Sequence, residues 1–182
     1  VYAEYCRVRD VQKALLSERD QHLAALLEIQ KANSKEAFYP DANSTLRLSA
    51  GHVEGYEAAD AVQHQPSTTL AGLIDKHEES KLLGVGEEDF ACPERLVDFC
   101  RREPSVLKTP VNICYSTDTV GGNSGSPVLN ANGEFVAINF DRQRLGLMNE
   151  FKWSAKYSRS IGVDVRYILW LVGSYDAAAH IV

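Results

Sequence analysis

The sequence predicts a mainly β fold with a helix at each end, and three observations predict it. Residues 1–33 contain no Gly or Pro and repeat their apolar residues at helical spacing. Beyond residue 41 the apolar period shortens to the alternation of strands. Two apolar runs are joined through Asn132-Gly133, a dipeptide suited to the positive φ angles of a tight hairpin.

The first element places Val8, Val11 and Leu15, then Leu23, Leu26 and Leu27, on one face of an amphipathic helix. Acids balance bases along it, which argues against a membrane-surface or calmodulin-target helix. Phe38-Tyr39-Pro40-Asp41 breaks it. Thr45-Leu46-Arg47-Leu48 and His52-Val53-Glu54-Gly55-Tyr56 then read as short strands about a Gly51 turn. Residues 66–107 are mixed, with Gly and Pro punctuation and two helical turns. Val111 to Tyr115 reads as a strand approaching Gly121-Gly122. Pro127-Val128-Leu129 and Phe135 to Phe140 form the arms of the Asn132-Gly133 hairpin. Gly162-Val163-Asp164-Val165 is the last strand, and Tyr167 to Val172 begins a terminal helix. The organisation expected is a helical end piece with linker over 1–37 and a β domain with its terminal helix over 38–182.

The 182 residues suit one domain, or one domain with an appended element. Hydrophobic residues make up 45% and charged residues 24%, the balance of an ordinary globular core. A net charge of -6 argues against a nucleic-acid partner, which calls for a basic face. No apolar run reaches the ~18 residues of a membrane span. The chain opens at Val1 with no leader, as expected of an excised or mature piece. Cys6, Cys92, Cys100 and Cys114 allow three disulfide pairings or four unpaired thiols, and spacing does not choose among them. Cys92 and Cys100 stand eight apart with no CxxC, which argues against zinc; no other metal and no cofactor is expected.

The chemistry concentrates in Gly121-Gly122-Asn123-Ser124-Gly125-Ser126-Pro127. A serine nucleophile needs an exposed hydroxyl and backbone N–H groups aimed at the developing oxyanion. Small residues on both sides permit both, because glycine lets the chain turn sharply and approach a substrate carbonyl. Ser124 is the nucleophile expected, with the amides of Gly122 and Ser124 forming the hole; Ser126 is expected to make a local hydrogen bond. The competing reading is a plain Gly/Ser turn. Seven fitting residues, with a strand leading in and Pro127-Val128-Leu129 leading out, outweigh it.

This heptad resembles the serine motif of the chymotrypsin-like clan. Asn123 stands where trypsin has an Asp that pairs with a freshly cut N-terminus; an uncharged side chain points to a bacterial-style member that needs no such activation. In this clan the order is His, Asp, Ser, with the first two on an earlier barrel or at the junction. Only 123 residues precede Ser124, and after the helix and linker they are too few for a whole barrel plus half of another, so the His and Asp are expected outside the chain. The five histidines agree. His22 lies on the first helix, His77 in a charged stretch read as solvated, and His180 at the tail. His52 and His64 lack the setting the clan uses for its base.

Several further segments together resemble the dipeptidyl peptidases 7 and 11 of the S46 family. These are Asp41-Ala-Asn-Ser-Thr-Leu-Arg47, Tyr56 to Leu73 with Pro66-Ser-Thr-Thr-Leu70, Pro110-Val-Asn112, the heptad, Ala137-Ile-Asn-Phe-Asp-Arg142 and Ser160-Ile-Gly-Val-Asp-Val-Arg-Tyr167. They cover most of residues 38–172 in the family's order; Val120, where Thr is expected, is a small departure. The resemblance implies the C-terminal six-stranded barrel of a chymotrypsin-like double β-barrel, preceded by the end of a helical cap domain. It implies removal of dipeptides from oligopeptides with a free N-terminus, and a periplasmic, cell-surface or secreted homodimer whose upstream chain supplies the His and Asp. Gly122 and Ser124 would form the oxyanion hole, and Phe140 would line the substrate pocket.

Position 142 is where the family sets its preference for the side chain before the cut. Arg142 resembles the dipeptidyl peptidase 11 type, which prefers Asp or Glu. A partly buried guanidinium needs an anion, and its fork matches a carboxylate. The plainer alternative pairs Arg142 with Asp141 or Glu134 at the surface, or gives its role to Arg144. Two other functions compete. A glutamyl endopeptidase shares Gly-Asn-Ser-Gly-Ser-Pro but not the N-terminal helix or the Asp41–Arg47 segment. A peptidase-like subunit without activity is the reading of a different class.

Overall fold

The computed structural model describes residues 2–35, 46–178 and 180. The expected helix break at Phe38 to Asp41, and most of the Asp41–Arg47 segment, lie outside the described residues. The chain divides into two compact units, residues 1–47 and 48–182.

The first unit holds α1 (Tyr2–Asn33), 32 residues of good helix formers uninterrupted by Gly or Pro. Glu4 sits in its first turn and Lys31 in its last, each complementing the helix dipole. Arg7 pairs with Glu4 at 2.7 Å, one turn away. None of its residues is buried.

The second unit holds β1 (Tyr56–Ala59), β2 (Val62–His64), β3 (Ser67–Thr69), α2 (Leu70–Leu83), α3 (Glu94–Arg102), β4 (Pro110–Tyr115), β5 (Pro127–Leu129), β6 (Phe135–Arg142), β7 (Ser160–Asp164) and α4 (Val165–Trp170). β1 and β2 form a hairpin whose tight turn puts Ala61 at φ +59°. The other five strands form one antiparallel sheet in the order β3-β4-β7-β6-β5. Among the described residues this sheet is open, with β3 and β5 at its edges, where a closed six-stranded barrel was expected. Helix is also more extensive than a mainly β reading allows: residues 66–107 form 14- and 9-residue helices rather than single turns.

The local signals explain most elements. β4 alternates, burying Val111, Ile113 and Tyr115. The β5–β6 hairpin closes on Gly133 at φ +80°, with the Asn130 side chain accepting from the amides of Asn132 and Glu134. Asp164 ends β7 and caps α4 through the Arg166 amide. Among the described residues the strands expected about Gly51 do not form. Residues 46–50 carry no regular structure, and Val53 makes only a single antiparallel bridge to Tyr115. Leu46 and Leu48 are fully exposed, so no burial supports the alternation seen there.

Among the described residues two apolar clusters form the core. Ile74, Leu96, Val97 and Cys100 join α2 to α3, with Trp170 and Tyr175 packed against them. Ile113, Tyr115 and Ala137 lie on the sheet, with Val128 against them. His77, expected in solvent, is buried. It lies on the inward face of α2 with Leu70, Ile74 and Ser80, and its Nδ1 accepts the amide of Cys92 at 3.1 Å. The four cysteines are unpaired. Among the described residues no helix is long and apolar enough to cross a membrane.

Candidate active site

The heptad crosses from the end of β4 to the start of β5 as an exposed turn. Gly122 and Gly125 take φ +98° and +85°, which L side chains rarely adopt. A Cβ at either would meet open space. Glycine is therefore required here for its backbone angles, not for room.

The turn is braced from within and from β6. The Asn123 amide donates to the Val120 carbonyl at 3.2 Å, and its side-chain Oδ1 accepts the Val120 amide at 2.9 Å. Ser126 donates its amide to the Asn123 carbonyl. Across the gap, Asn139 on β6 accepts the Gly125 amide at its main-chain carbonyl, 2.8 Å, and donates its own amide to Ser126 at 2.9 Å. The buried Asn139 side chain adds a third link, Nδ2 to the Asn123 carbonyl at 3.2 Å, while its Oδ1 accepts the Tyr115 hydroxyl at 2.7 Å. Burial pushes the Tyr115 hydroxyl well above the ordinary phenol range, with neighbouring Cys114 adding to it, so it stays a donor. Tyr115 reaches Asn139 by passing over Gly162, where a Cβ would stand 2.9 Å from its hydroxyl.

Ser124 is exposed, and its Oγ donates to the Phe140 carbonyl at 3.2 Å. Among the described residues the amides of Gly122 and Ser124 donate to no protein acceptor. Two unmatched N–H groups beside an exposed hydroxyl can receive a negative oxygen. No histidine hydrogen-bonds Ser124 among the described residues. His52 and His64 are exposed, and His64 stacks on Tyr56 at 4.8 Å. His22 lies 3.9 Å from Glu18 on α1.

Phe140 is the extra residue of a β-bulge. Asn139 pairs with Gly162 and Asp141 with Ile161, leaving Phe140 without a partner on β7. Burial follows the shift: Ala137 and Asn139 are buried, Asp141 is exposed, and Arg142 turns inward, opposite the buried Ser160.

The Arg142 side chain is 14% exposed. Its Nη1 donates to the Thr119 carbonyl at 3.2 Å, and its Nη2 donates to Glu150 Oε1 at 2.7 Å. Asp141 does not pair with the guanidinium; its carboxylate accepts the Arg142 amide at 2.8 Å. Glu134 is held by the Asn130 side chain, and Arg144 is exposed without an ion pair among the described residues. Glu150 ends a 3-10 turn, Arg144–Glu150, whose Gly146 lies against the Arg142 methylenes. The Arg142 guanidinium, helped by the Gly121 amide, holds the Glu150 carboxyl below the usual carboxylate range. Asp118 goes the other way: burial raises it more than Arg142 lowers it.

Two groups that shape this site, Asn139 and Glu150, carry no signal in the sequence. Their partners lie 16 and 8 residues away, and only pairing across the sheet and closure of the 144–150 turn bring them together.

Comparison with known proteins places the chain. The family model described as Peptidase S46 matches residues 2–182. The chain is 35% identical over 196 residues to an Asp/Glu-specific dipeptidyl-peptidase of Shewanella putrefaciens, covering 92% of this chain and 26% of that protein. It is 37% identical to the protein of the same name from Porphyromonas gingivalis, covering 92% and 23%, and 32% identical to dipeptidyl-peptidase 7 of Phocaeicola vulgatus, covering 82% and 21%. Among solved structures it is similar to Porphyromonas endodontalis DPP11 in complex with the dipeptide Arg-Asp, at TM-score 0.70 and 31% identity, covering 84% of this chain and 22% of that one. The same protein with Arg-Glu gives TM-score 0.69 and 32% identity. The chain spans about a quarter of the length of the relatives it matches.

Proposed function

The chain belongs to the peptidase S46 family, and from that premise we propose that it is the serine-bearing part of a dipeptidyl peptidase that releases N-terminal dipeptides whose second residue is Asp or Glu. The observation that carries the reading is the exposed Ser124 hydroxyl beside the unmatched amides of Gly122 and Ser124.

In this mechanism Ser124 Oγ leaves the Phe140 carbonyl and attacks the scissile carbonyl carbon, passing its proton to a histidine supplied upstream in the same polypeptide. The Gly122 and Ser124 amides bind the oxyanion. The C–N bond breaks, the amine leaves with that proton, and water then hydrolyses the acyl-enzyme. Arg142 pairs with the carboxylate of the substrate's second residue, and Phe140 lines the pocket. The open sheet is read as part of the second barrel of a chymotrypsin-like peptidase, in a periplasmic, cell-surface or secreted homodimer. Support for acidic specificity comes from relatives named Asp/Glu-specific and from a structural neighbour solved with Arg-Asp and Arg-Glu.

The test uses the full-length protein. Arg142→Gly is expected to lose cleavage of a Leu-Asp reporter and gain cleavage after hydrophobic residues; unchanged Leu-Asp cleavage refutes the assignment. Ser124→Ala should abolish labelling by a fluorophosphonate. A substrate with a blocked amino terminus should resist cleavage, whereas a glutamyl endopeptidase would cut it.

A further inference from the structure

The guanidinium assigned to the substrate's acidic side chain already holds a carboxylate. We propose that Glu150 is an internal stand-in for that side chain, a counter-ion that an incoming Asp or Glu displaces from Arg142 and that thereby sets the strength of acidic selection. The inference rests on the Arg142 reading above.

The two partners differ in how they are held. The Arg142 side chain is 14% exposed, its stem lies against Gly146, and Nη1 is tied to the Thr119 main chain. Glu150 is 51% exposed, and its carboxylate, which also meets the Gly121 amide, is the far end of a flexible side chain. If the pair separates, the glutamate can swing into water, where a carboxylate is well solvated, while the arginine stays. An arginine left alone at this depth is costly, so some anion should occupy it.

The exchange needs no backbone movement. Residue 149, next in the chain, is fixed: the Asn149 side chain accepts from Ser158 Oγ at 2.6 Å and donates to the Thr119 carbonyl at 3.4 Å. Only the Glu150 side chain has to turn. The other acids nearby do not hold the guanidinium: the Asp141 carboxylate accepts a main-chain amide instead, and among the described residues Asp118 makes no ion pair with it.

The consequence concerns selectivity. A neutral side chain entering the pocket leaves the Arg142–Glu150 pair intact and orphans no charge. An acidic one must compete with Glu150. The internal carboxylate therefore weakens acidic substrates and shelters neutral ones, narrowing the gap between them.

The experiment compares full-length wild type, Glu150→Gln, Arg142→Gly and the double variant on Leu-Asp and Leu-Ala reporters. Glu150→Gln is expected to raise kcat/KM for Leu-Asp about two- to fivefold, the range a half-exposed ion pair is worth, mainly through KM. Leu-Ala should stay level or fall, and the gain should vanish in the Arg142→Gly background. Glu150→Ala, which removes the whole carboxylate, should act in the same direction and guards against an effect peculiar to the amide. A loss of Leu-Asp cleavage in both Glu150 variants overturns the proposal, because Glu150 would then be positioning Arg142. No change in either variant, with Arg142→Gly losing acidic preference, overturns it too and leaves the Arg142 assignment standing. Retained acidic preference in Arg142→Gly sinks that assignment itself.

Discussion

The Asn139 side chain donates to the main-chain carbonyl of Asn123, the residue before Ser124, at 3.2 Å, and so couples a buried position of β6 to the exposed serine turn. Because its other end accepts from Tyr115, one amide ties the turn to the sheet core. Asn139→Leu removes both bonds at once and leaves the buried Tyr115 hydroxyl unmatched, while the Asn123 carbonyl keeps the Ser126 amide. Stability should fall by about 2–3 kcal/mol, read from the urea midpoint of the full-length protein. Its kcat should drop roughly ten- to a hundredfold through loss of alignment, with KM moving less. Wild-type kcat would show that the main-chain bonds of Gly125 and Ser126 suffice.

Gly162→Ala tests the same brace from below. The added methyl would lie 2.9 Å from the Tyr115 hydroxyl, 3.1 Å from the Ala137 Cβ and 3.1 Å from the Ile138 carbonyl. Backbone and a short side chain cannot swing away, so a loss of about 1–3 kcal/mol is expected, measurable by thermal or denaturant unfolding. Undiminished stability would mean that the central strands separate without penalty.

Gly122→Ala separates angle from space. Its Cβ would touch nothing, yet φ is +98°. The strain of roughly 1–2 kcal/mol is small enough to leave the protein folded, while relaxing it would rotate the amide proposed as an oxyanion donor. A fall in kcat on the order of a hundredfold, with unchanged circular dichroism, is the expected pair of readings.

The cysteines give a pH-dependent prediction. Burial pushes the thiols of Cys92, Cys100 and Cys114 upward; Cys92 adds to the shift at Cys100, and Arg159 partly offsets it at Cys114. A raised pKa means less thiolate at neutral pH, so iodoacetamide should label these three slowly in the native protein and quickly in urea, as followed by peptide mapping. The contribution to stability is full below the unfolded thiol pKa and is lost as pH rises from about 8.5 through the folded value. Equal labelling in both states would contradict the burial.

What could be read in the residues was what depends on near neighbours. The helix over Tyr2–Asn33, the Asn132-Gly133 hairpin and the strand at Val111 to Tyr115 follow from local composition and period. The serine heptad was legible for the same reason, since seven adjacent residues carry its signal. Failures came where distant chain decides. His77 sits among charges in sequence, but helix geometry turns it inward to meet Cys92, fifteen residues on. The alternation at Leu46 and Leu48 has no surface to bury against. The β1–β2 hairpin was missed because its turn carries Asp60-Ala61 rather than the usual Gly. The Glu150 ion pair depends on a turn whose sequence contains no recognition motif.

The unpaired residue at position 140 fixes something that composition alone does not. In a pleated strand each added or deleted residue exchanges one face for the other. The bulge has used that rule once, so that the carbonyl of residue 140 meets the serine and the side chain of residue 142 points inward. Between the bulge and residue 142, then, chemistry can change while length cannot. Replacing the arginine would change the charge that points inward, whereas inserting one residue between Phe140 and Asp141 would carry the exposed Asp141 side chain to the inward position and put an anion where the cation stood.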